Sequence, residues 1–152
     1  MDPSTTTTTA DQLVVVGIEA GGTSFMAAIC HYHNNTENTT TGQQQQQQQQ
    51  QRPYRPSDIA HSQTFETTEP SETLARVTQW IHRTCSEHHY RIHHVGIACF
   101  GPVDLDPRSK TYGYITSTPK IKWQFTNVLG FVREQFSDLD PETQFSFDTD
   151  VN

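Results

Sequence analysis

Cysteine is scarce in this 152-residue chain: Cys30, Cys85 and Cys99 stand far apart, with no Cys-x-x-Cys pair. An odd, scattered set outside a secretory context argues against a disulfide framework. It reads instead as reduced thiols used as small buried apolar residues. Long apolar runs are missing too. Runs such as Leu13–Val16 fall far short of the ~18 residues a membrane-crossing helix needs, so no membrane is expected as a partner. Near Met1 there is neither a basic segment nor an apolar stretch, so no secretory signal is read and a cytoplasmic protein is expected. Positive charge is also in deficit, with 10 Lys and Arg against 17 Asp and Glu and a net charge of −7. Such a chain offers no field for a phosphate backbone, which argues against nucleic acid as a partner.

Hydrophobic residues make up only 32% of the whole, but the shortage is local. Residues 1–10 hold just Met1 and Ala10, and residues 33–58 just Tyr54; the remainder is about 40% hydrophobic, an ordinary share for a packed domain. The chain therefore reads as a flexible leader over residues 1–12 and one folded unit over 13–152. A glutamine-rich stretch at 33–58 interrupts that unit. It has almost nothing to bury against the entropy of ordering, so it is expected to be a disordered loop between two strands. Its nine glutamines, Gln43–Gln51, also admit a reading as a coiled-coil or aggregation element. The sequons at Asn34 and Asn38 are discounted because no secretory route is visible.

Between these polar stretches, strand-like and helix-like patterns alternate. Leu13–Ile18 is a short β-branched run of the kind buried on both faces of a sheet. Gly21-Gly22 then turns the chain into a second run, Phe25–Tyr32, which predicts a hairpin. Ile59–Thr67 is strand-like again. Pro70 starts a helix, with Glu69 and Glu72 placed to favour its N-terminus and Leu74, Val77, Ile81 and Cys85 on one face. Val95–Phe100 predicts another strand. Val128, Leu129, Val132 and Phe136 mark a helix capped by Asn127, and alternation around Phe145 and Phe147 marks a last strand. Interleaved strands and helices give an α/β class. Five histidines, His82, His88, His89, His93 and His94, crowd the end of the first helix and the next turn. A metal site there lacks a convincing carboxylate or cysteine partner, so a solvated helix end with favourable dipole placement is the preferred reading.

Three segments carry more than scaffold chemistry. In Gly17–Ser24, a Gly-Gly-Thr turn between strands lets backbone amides approach an anion, Thr23 adds a hydroxyl, and Glu19 at the strand end could hold Mg²⁺ through water. An ordinary hairpin explains the same residues. In Gly96–Asp104, a strand runs into Gly101-Pro102 and then a carboxylate, Asp104, at the end of a sheet where open α/β folds bind ligands, though a plain strand exit also fits. In Phe147–Asn152, Asp148 and Asp150 follow a strand, and a carboxylate there could act as general base towards a hydroxyl, with Asn152 donating to a neighbouring one. A charged loop is the bland alternative.

Taken in order and spacing, these segments resemble the ROK family (repressor, open reading frame, kinase) of sugar kinases, and its fructokinase branch most of all. The resemblance is carried by Gly17–Thr23, by the long block Gly96–Lys120, by Trp123 and by Asp148–Asn152. It implies an actin-like/ribonuclease H-like ATPase lobe with a mixed β-sheet flanked by helices, ending before a second lobe. It implies phosphorylation of a hexose, fructose foremost, by ATP with Mg²⁺, and a homodimer. By the same resemblance Gly21, Gly22 and Thr23 bind ATP phosphates and Asp150 takes the proton of the attacking hydroxyl. Gly101, Pro102, Asp104, Thr118, Pro119, Lys120 and Asn152 would frame the sugar. Positioning and charge neutralisation dominate phosphoryl transfer, so these are the expected kinds of parts. Ser24 departs from the family, which usually carries Lys or a similar residue after this turn. The family's zinc site and second phosphate loop belong to a C-terminal half absent from this chain.

Two functional readings follow. One is the N-terminal part of an ATP-dependent fructokinase, inactive alone. The other is a non-catalytic or pseudo-kinase lobe that binds sugar or serves as an interaction module. A ROK-type repressor fits less well, because residues 1–12 leave no room for a helix-turn-helix. An exposed cleft-facing apolar surface is expected to limit solubility.

Overall fold

The structure, a computed structural model, describes residues 10–33, 53–138 and 140–150. Seven regular elements follow in order: β1 (Gln12–Ala20), β2 (Ser24–His31), β3 (Ile59–Glu66), α1 (Pro70–Glu87), β4 (Tyr90–Cys99), α2 (Val128–Phe136) and β5 (Gln144–Thr149). The strands form one mixed sheet ordered β3-β2-β1-β4-β5. β1, β2 and β3 make an antiparallel meander, whereas β4 pairs parallel with β1, and β5 parallel with β4. Parallel neighbours need crossover connections, and α1 and the segment containing α2 supply them. The expected hairpin over Gly21-Gly22 is therefore present, and the class is α/β.

Both helices pack on the same side of the sheet. Leu74, Val77, Ile81 and Cys85 of α1 and Val128, Leu129, Val132 and Phe136 of α2 join Val14, Val16, Ile18, Phe25, Ile29, Val95 and Ile97 in one buried cluster. Each such side chain contributes roughly 1.5–3 kcal/mol when fully buried. Pro70 sits in the first turn of α1, where its missing N–H costs nothing. The Asn127 side chain accepts from the Gly130 N–H at 2.8 Å and caps α2 as expected. Buried Thr78 and Thr84 satisfy their hydroxyls on the Leu74 and Trp80 carbonyls one turn back.

Two local readings need correction. Leu13–Ile18 is not buried on both faces: Val14, Val16 and Ile18 are buried, while Leu13 and Val15 are half-buried and Gly17 exposed. Only one face carries helices among the described residues. The strand read from Val95 begins at Tyr90, so His93 and His94 belong to β4 rather than to a helix end. The histidines accordingly disperse. His82 stacks on Phe136, His88 stacks on Tyr90, His93 packs against the Tyr32 ring, and His94 hydrogen-bonds the Ser146 hydroxyl. Within the 33–58 stretch, residues 53–58 are described and contain a short 3-10 turn, Pro56–Asp58. The glutamine tract, both sequons, most of the leader and Asn152 lie outside the described residues.

The uncovered face has one regular feature. Ser62, Ala28, Gly17, Gly96 and Ser146 are successive register partners across all five strands, so a row of small residues crosses the sheet. One step towards the carboxyl end of β1, the next row holds Met26, Glu19, Ala98 and Asp148. The central members of these rows, Ala28, Gly17 and Gly96 with Met26, Glu19 and Ala98, line a shallow concavity of about 540 Å³ that reaches Asp150.

Candidate active site

The parallel pairing of β1, β4 and β5 brings three carboxyl ends together. Ala20 pairs with Cys99, and Cys99 with Thr149, so the chain leaves the sheet at one level on all three strands. The Phe100 N–H donates to the Ala20 carbonyl at 2.8 Å, and the Asp150 N–H to the Cys99 carbonyl at 2.9 Å, extending the ladder past each strand end. Adjacent strands lie ~4.8 Å apart, which puts the start of the glycine turn and Asp150 about 10 Å from one another across the sheet. They share an edge. Burial pushes the Cys99 thiol up to about 12, and the nearby Asp150 carboxylate adds to that rise.

The glycine turn is tightly built. The Gly21 N–H donates to the Ser24 carbonyl at 3.0 Å, and an added Cβ at Gly21 would stand 2.4 Å from that oxygen, so only glycine fits. From the β3–α1 connection, the Thr67 hydroxyl donates to the Gly21 carbonyl at 2.8 Å and the Thr67 N–H to the Thr23 carbonyl at 3.0 Å. With these carbonyls occupied, the N–H groups of Gly22 and Thr23 have no acceptor among the described residues. Backbone amides without an internal acceptor, on a turn held by hydrogen bonds, are the raw material of an anion site. Thr67 is 46 residues from Gly21 in sequence, and nothing in a single sequence signals that contact.

The block after β4 folds into a loop over the same edge. Val103 bridges Ile115, Tyr114 bridges Asn127, and the Thr116 N–H donates to the Pro102 carbonyl at 2.8 Å. The Gly101–Pro102 peptide is cis. Trp123 fastens the loop to the core: it is buried between Phe25 and Phe100, and its indole N–H donates to the Thr68 carbonyl at 2.9 Å. The expected sugar-framing residues separate here. Gly101, Pro102 and Pro119 lie at or near the surface, whereas Thr118 is buried and faces its own loop. The Asp104 carboxylate also turns inward, accepting from the Ser109 hydroxyl at 2.5 Å, the Thr111 hydroxyl at 2.6 Å and the Asp106 N–H at 3.0 Å. Those donors hold the Asp104 carboxyl below the usual range, Ser109 contributing most. Asp104 thus shapes this loop. Lys120 does not stay with the other loop residues, because its stem crosses over Gly22 of the glycine turn.

Glu19 is exposed and lines the open-face concavity together with Asp150. No group of three or more His, Cys, Asp or Glu side chains suited to a metal ion occurs among the described residues. Among them no helix is long and apolar enough to cross a membrane.

The sequence pattern of the ROK family matches residues 15–152, nearly the whole chain. The chain belongs to the ROK family. It is 39% identical over 88 residues to a fructokinase of Lactococcus lactis subsp. cremoris, an alignment covering 58% of this chain and 27% of that protein. It is 36% identical over 94 residues to a fructokinase of Streptococcus mutans, covering 62% and 29% respectively. This ROK chain therefore matches less than a third of the length of either relative. The crystal structure of the ROK hexokinase from Thermus thermophilus superimposes with a TM-score of 0.56 at 16% identity, covering 91% of this chain and 36% of the hexokinase. That likeness establishes the fold, a mixed five-stranded sheet with helices shared with the hexokinase, as the resemblance implied.

Proposed function

We propose that the chain contributes the phosphate turn and the general base of an ATP-dependent hexose kinase, with fructose as the favoured sugar. One observation carries the reading: the free amides of Gly22 and Thr23 and the carboxylate Asp150 stand at the same edge of the sheet, where the carboxyl ends of β1 and β4 meet that of β5. A span of about 10 Å suits an extended phosphate chain gripped at one end and a sugar hydroxyl met at the other. The identity with fructokinases supports fructose over other hexoses.

In this mechanism the glycine-turn amides hold phosphate oxygens by hydrogen bonds from fixed backbone dipoles, which need no reorganisation as charge builds. Asp150 accepts the proton of the attacking sugar hydroxyl through its Oδ atoms, so its work depends on hydrogen-bond reach to that hydroxyl. Gly101, Pro102 and Pro119 offer backbone edges to the sugar, with Asp104 and Thr118 holding their loops in shape. Asn152 is proposed as a further sugar ligand from its place in the motif. Glu19 and Asp150 line one concavity, and two carboxylates fit a hydrated Mg²⁺, which is bound by one or two such groups together with substrate phosphates. When bound it would supply neutralisation of phosphate charge.

The concavity beside this edge is shallow and open to solvent. Phosphoryl transfer in water-exposed surroundings loses much of its electrostatic advantage. The chain alone is accordingly proposed to be inactive, its activity requiring the remainder of the length its relatives possess. The test is sugar-dependent ADP release from a protein joining this chain to a relative's remaining length. Fructose-dependent turnover that falls about 10²–10⁴-fold in Asp150→Asn supports the reading. No sugar-dependent turnover, or an Asp150→Asn variant as active as its parent, refutes it.

A further inference from the structure

Residues 17–24 contain no Lys or Arg, so the glycine turn has amides but no charge of its own to set against a phosphate. Its neighbourhood is acidic, with Glu19 and Asp150 in the adjoining concavity. An anion approaching the turn of the metal-free chain therefore meets repulsion unless a cationic side chain arrives from elsewhere in the fold.

Among the described residues, the segments beside this turn carry Arg76, Lys120 and Lys122, and two of these are spent. The Arg76 guanidinium donates to the Glu66 carbonyl at 2.9 Å and to the Thr68 hydroxyl at 3.0 Å. Lys122 pairs with Glu69. The Lys120 ammonium has no hydrogen bond or ion pair among the described residues. Its stem is nevertheless placed. A Cβ added to Gly22 would stand 3.2 Å from Lys120 Cε and 3.9 Å from Cδ, so the outer end of the side chain lies across the turn.

The base of this arm is anchored rather than adrift. The Trp123 N–H donates to the Lys120 carbonyl at 2.8 Å, and the Lys120 N–H approaches the buried Thr118 hydroxyl at 3.4 Å. Trp123 is itself held in the core between Phe25 and Phe100. An ammonium with no partner among the described residues, on an anchored stem that passes beside Gly22, together with the Gly22 and Thr23 amides makes a composite anion site from two distant parts of the sequence.

We propose that Lys120 is a phosphate-binding residue, its ammonium meeting an oxygen of the phosphate held by the Gly22 and Thr23 amides, rather than a ligand of the sugar. The assignment rests on the kinase reading for the identity of the anion, a nucleotide's terminal phosphates, but not for the existence of the site. Gly22 gains a reason from it. With no side chain, Gly22 leaves a track for the lysine stem, and alanine there would push the ammonium aside while leaving its charge intact.

The experiment titrates inorganic tripolyphosphate into the isotopically labelled chain and follows the amide resonances of Gly22 and Thr23. Saturable shifts at both amides are expected. Lys120→Met should weaken binding about fivefold or more, Lys120→Arg should stay within about twofold of the parent, and Gly22→Ala should weaken it. No shift at either amide in the parent, or an unchanged affinity in Lys120→Met, overturns the proposal. So does loss of fructose binding in Lys120→Met with tripolyphosphate binding intact, which would return Lys120 to the sugar. Failure of the kinase reading is recognised separately, by an Asp150→Asn variant that leaves sugar-dependent turnover unchanged while Lys120→Met still weakens the anion.

Discussion

Two adjacent glycines should respond very unequally to the same substitution. An alanine at Gly21 brings its Cβ to 2.4 Å from the Ser24 carbonyl oxygen, a backbone atom fixed in the β1–β2 hairpin. Relief requires the hairpin turn to open by most of an ångström. That movement gives up the Gly21 N–H to Ser24 bond, worth about 1 kcal/mol, and adds the roughly 1–3 kcal/mol typical of forcing a methyl into occupied space. At Gly22 the nearest atom is the outer end of a flexible lysine at 3.2 Å, and the backbone is not in the left-handed region. Alanine there should fall within about 0.5 kcal/mol of the parent, its narrower unfolded ensemble offsetting the displaced lysine. At about 2–4 °C per kcal/mol for a chain of this size, Gly21→Ala should lower the thermal midpoint by roughly 4–16 °C and Gly22→Ala by less than about 2 °C. Circular dichroism melts of the chain measure both. Equal losses in the two variants, or a Gly21→Ala variant as stable as the parent, would refute the turn geometry and with it the basis for an anion site.

Other expectations can be checked on the same chain. His61 packs against His88 and Tyr90 and near His31 and Glu87; burial first, then His88 and His31, lower its pKa, while Glu87 opposes them. The unfolded state then binds more protons than the folded one, so this contribution is complete above about pH 6.5 and is lost as pH falls through the lower folded-state value. Melts from neutral to mildly acidic pH should show that decline, and His61→Gln should flatten it; an unchanged profile would count against the cluster. Burial holds the Cys85 thiol up at about 11 and the Cys99 thiol at about 12, so a thiol reagent at mildly alkaline pH should reach them only after denaturant is added. Fast labelling of Cys99 in the folded chain would contradict its packing. Asn127→Ala removes the cap of α2 and should cost about 1 kcal/mol by urea denaturation, with Asn127→Asp retaining most of it.

Sequence legibility followed the range of the physical signal. β1 and β2 were readable because a β-branched run, two glycines and a second apolar run fix a hairpin locally. α1 and α2 were readable because their apolar residues recur at helical spacing and Pro70 and Asn127 mark their starts. The N-terminal half of β4 was not, because Tyr90, Arg91, His93 and His94 give no apolar alternation. That stretch is a strand because it lies in register beside β1 over Gln12–Val15. Leu13–Ile18 similarly looked buried twice over, since composition records apolarity but not how many layers cover a sheet.

The candidate site divides along the same line. Sequence alone determined its chemical parts, because an amide-rich turn, a Gly-Pro strand exit followed by a carboxylate and a second strand-end carboxylate are local patterns that a few neighbouring residues specify. It also determined the family, through motifs kept in order. Only tertiary structure decided which parts meet: that parallel pairing sets Gly21 and Asp150 on one edge, that Thr67 occupies the carbonyls of the turn, that Asp104 serves its own loop, and that Lys120 reaches across to Gly22. Apart from the local turn around Asp104, those contacts join residues tens of positions apart, and the energy that selects them comes from burying Trp123 and the strand faces as a whole, a quantity no short stretch of sequence contains.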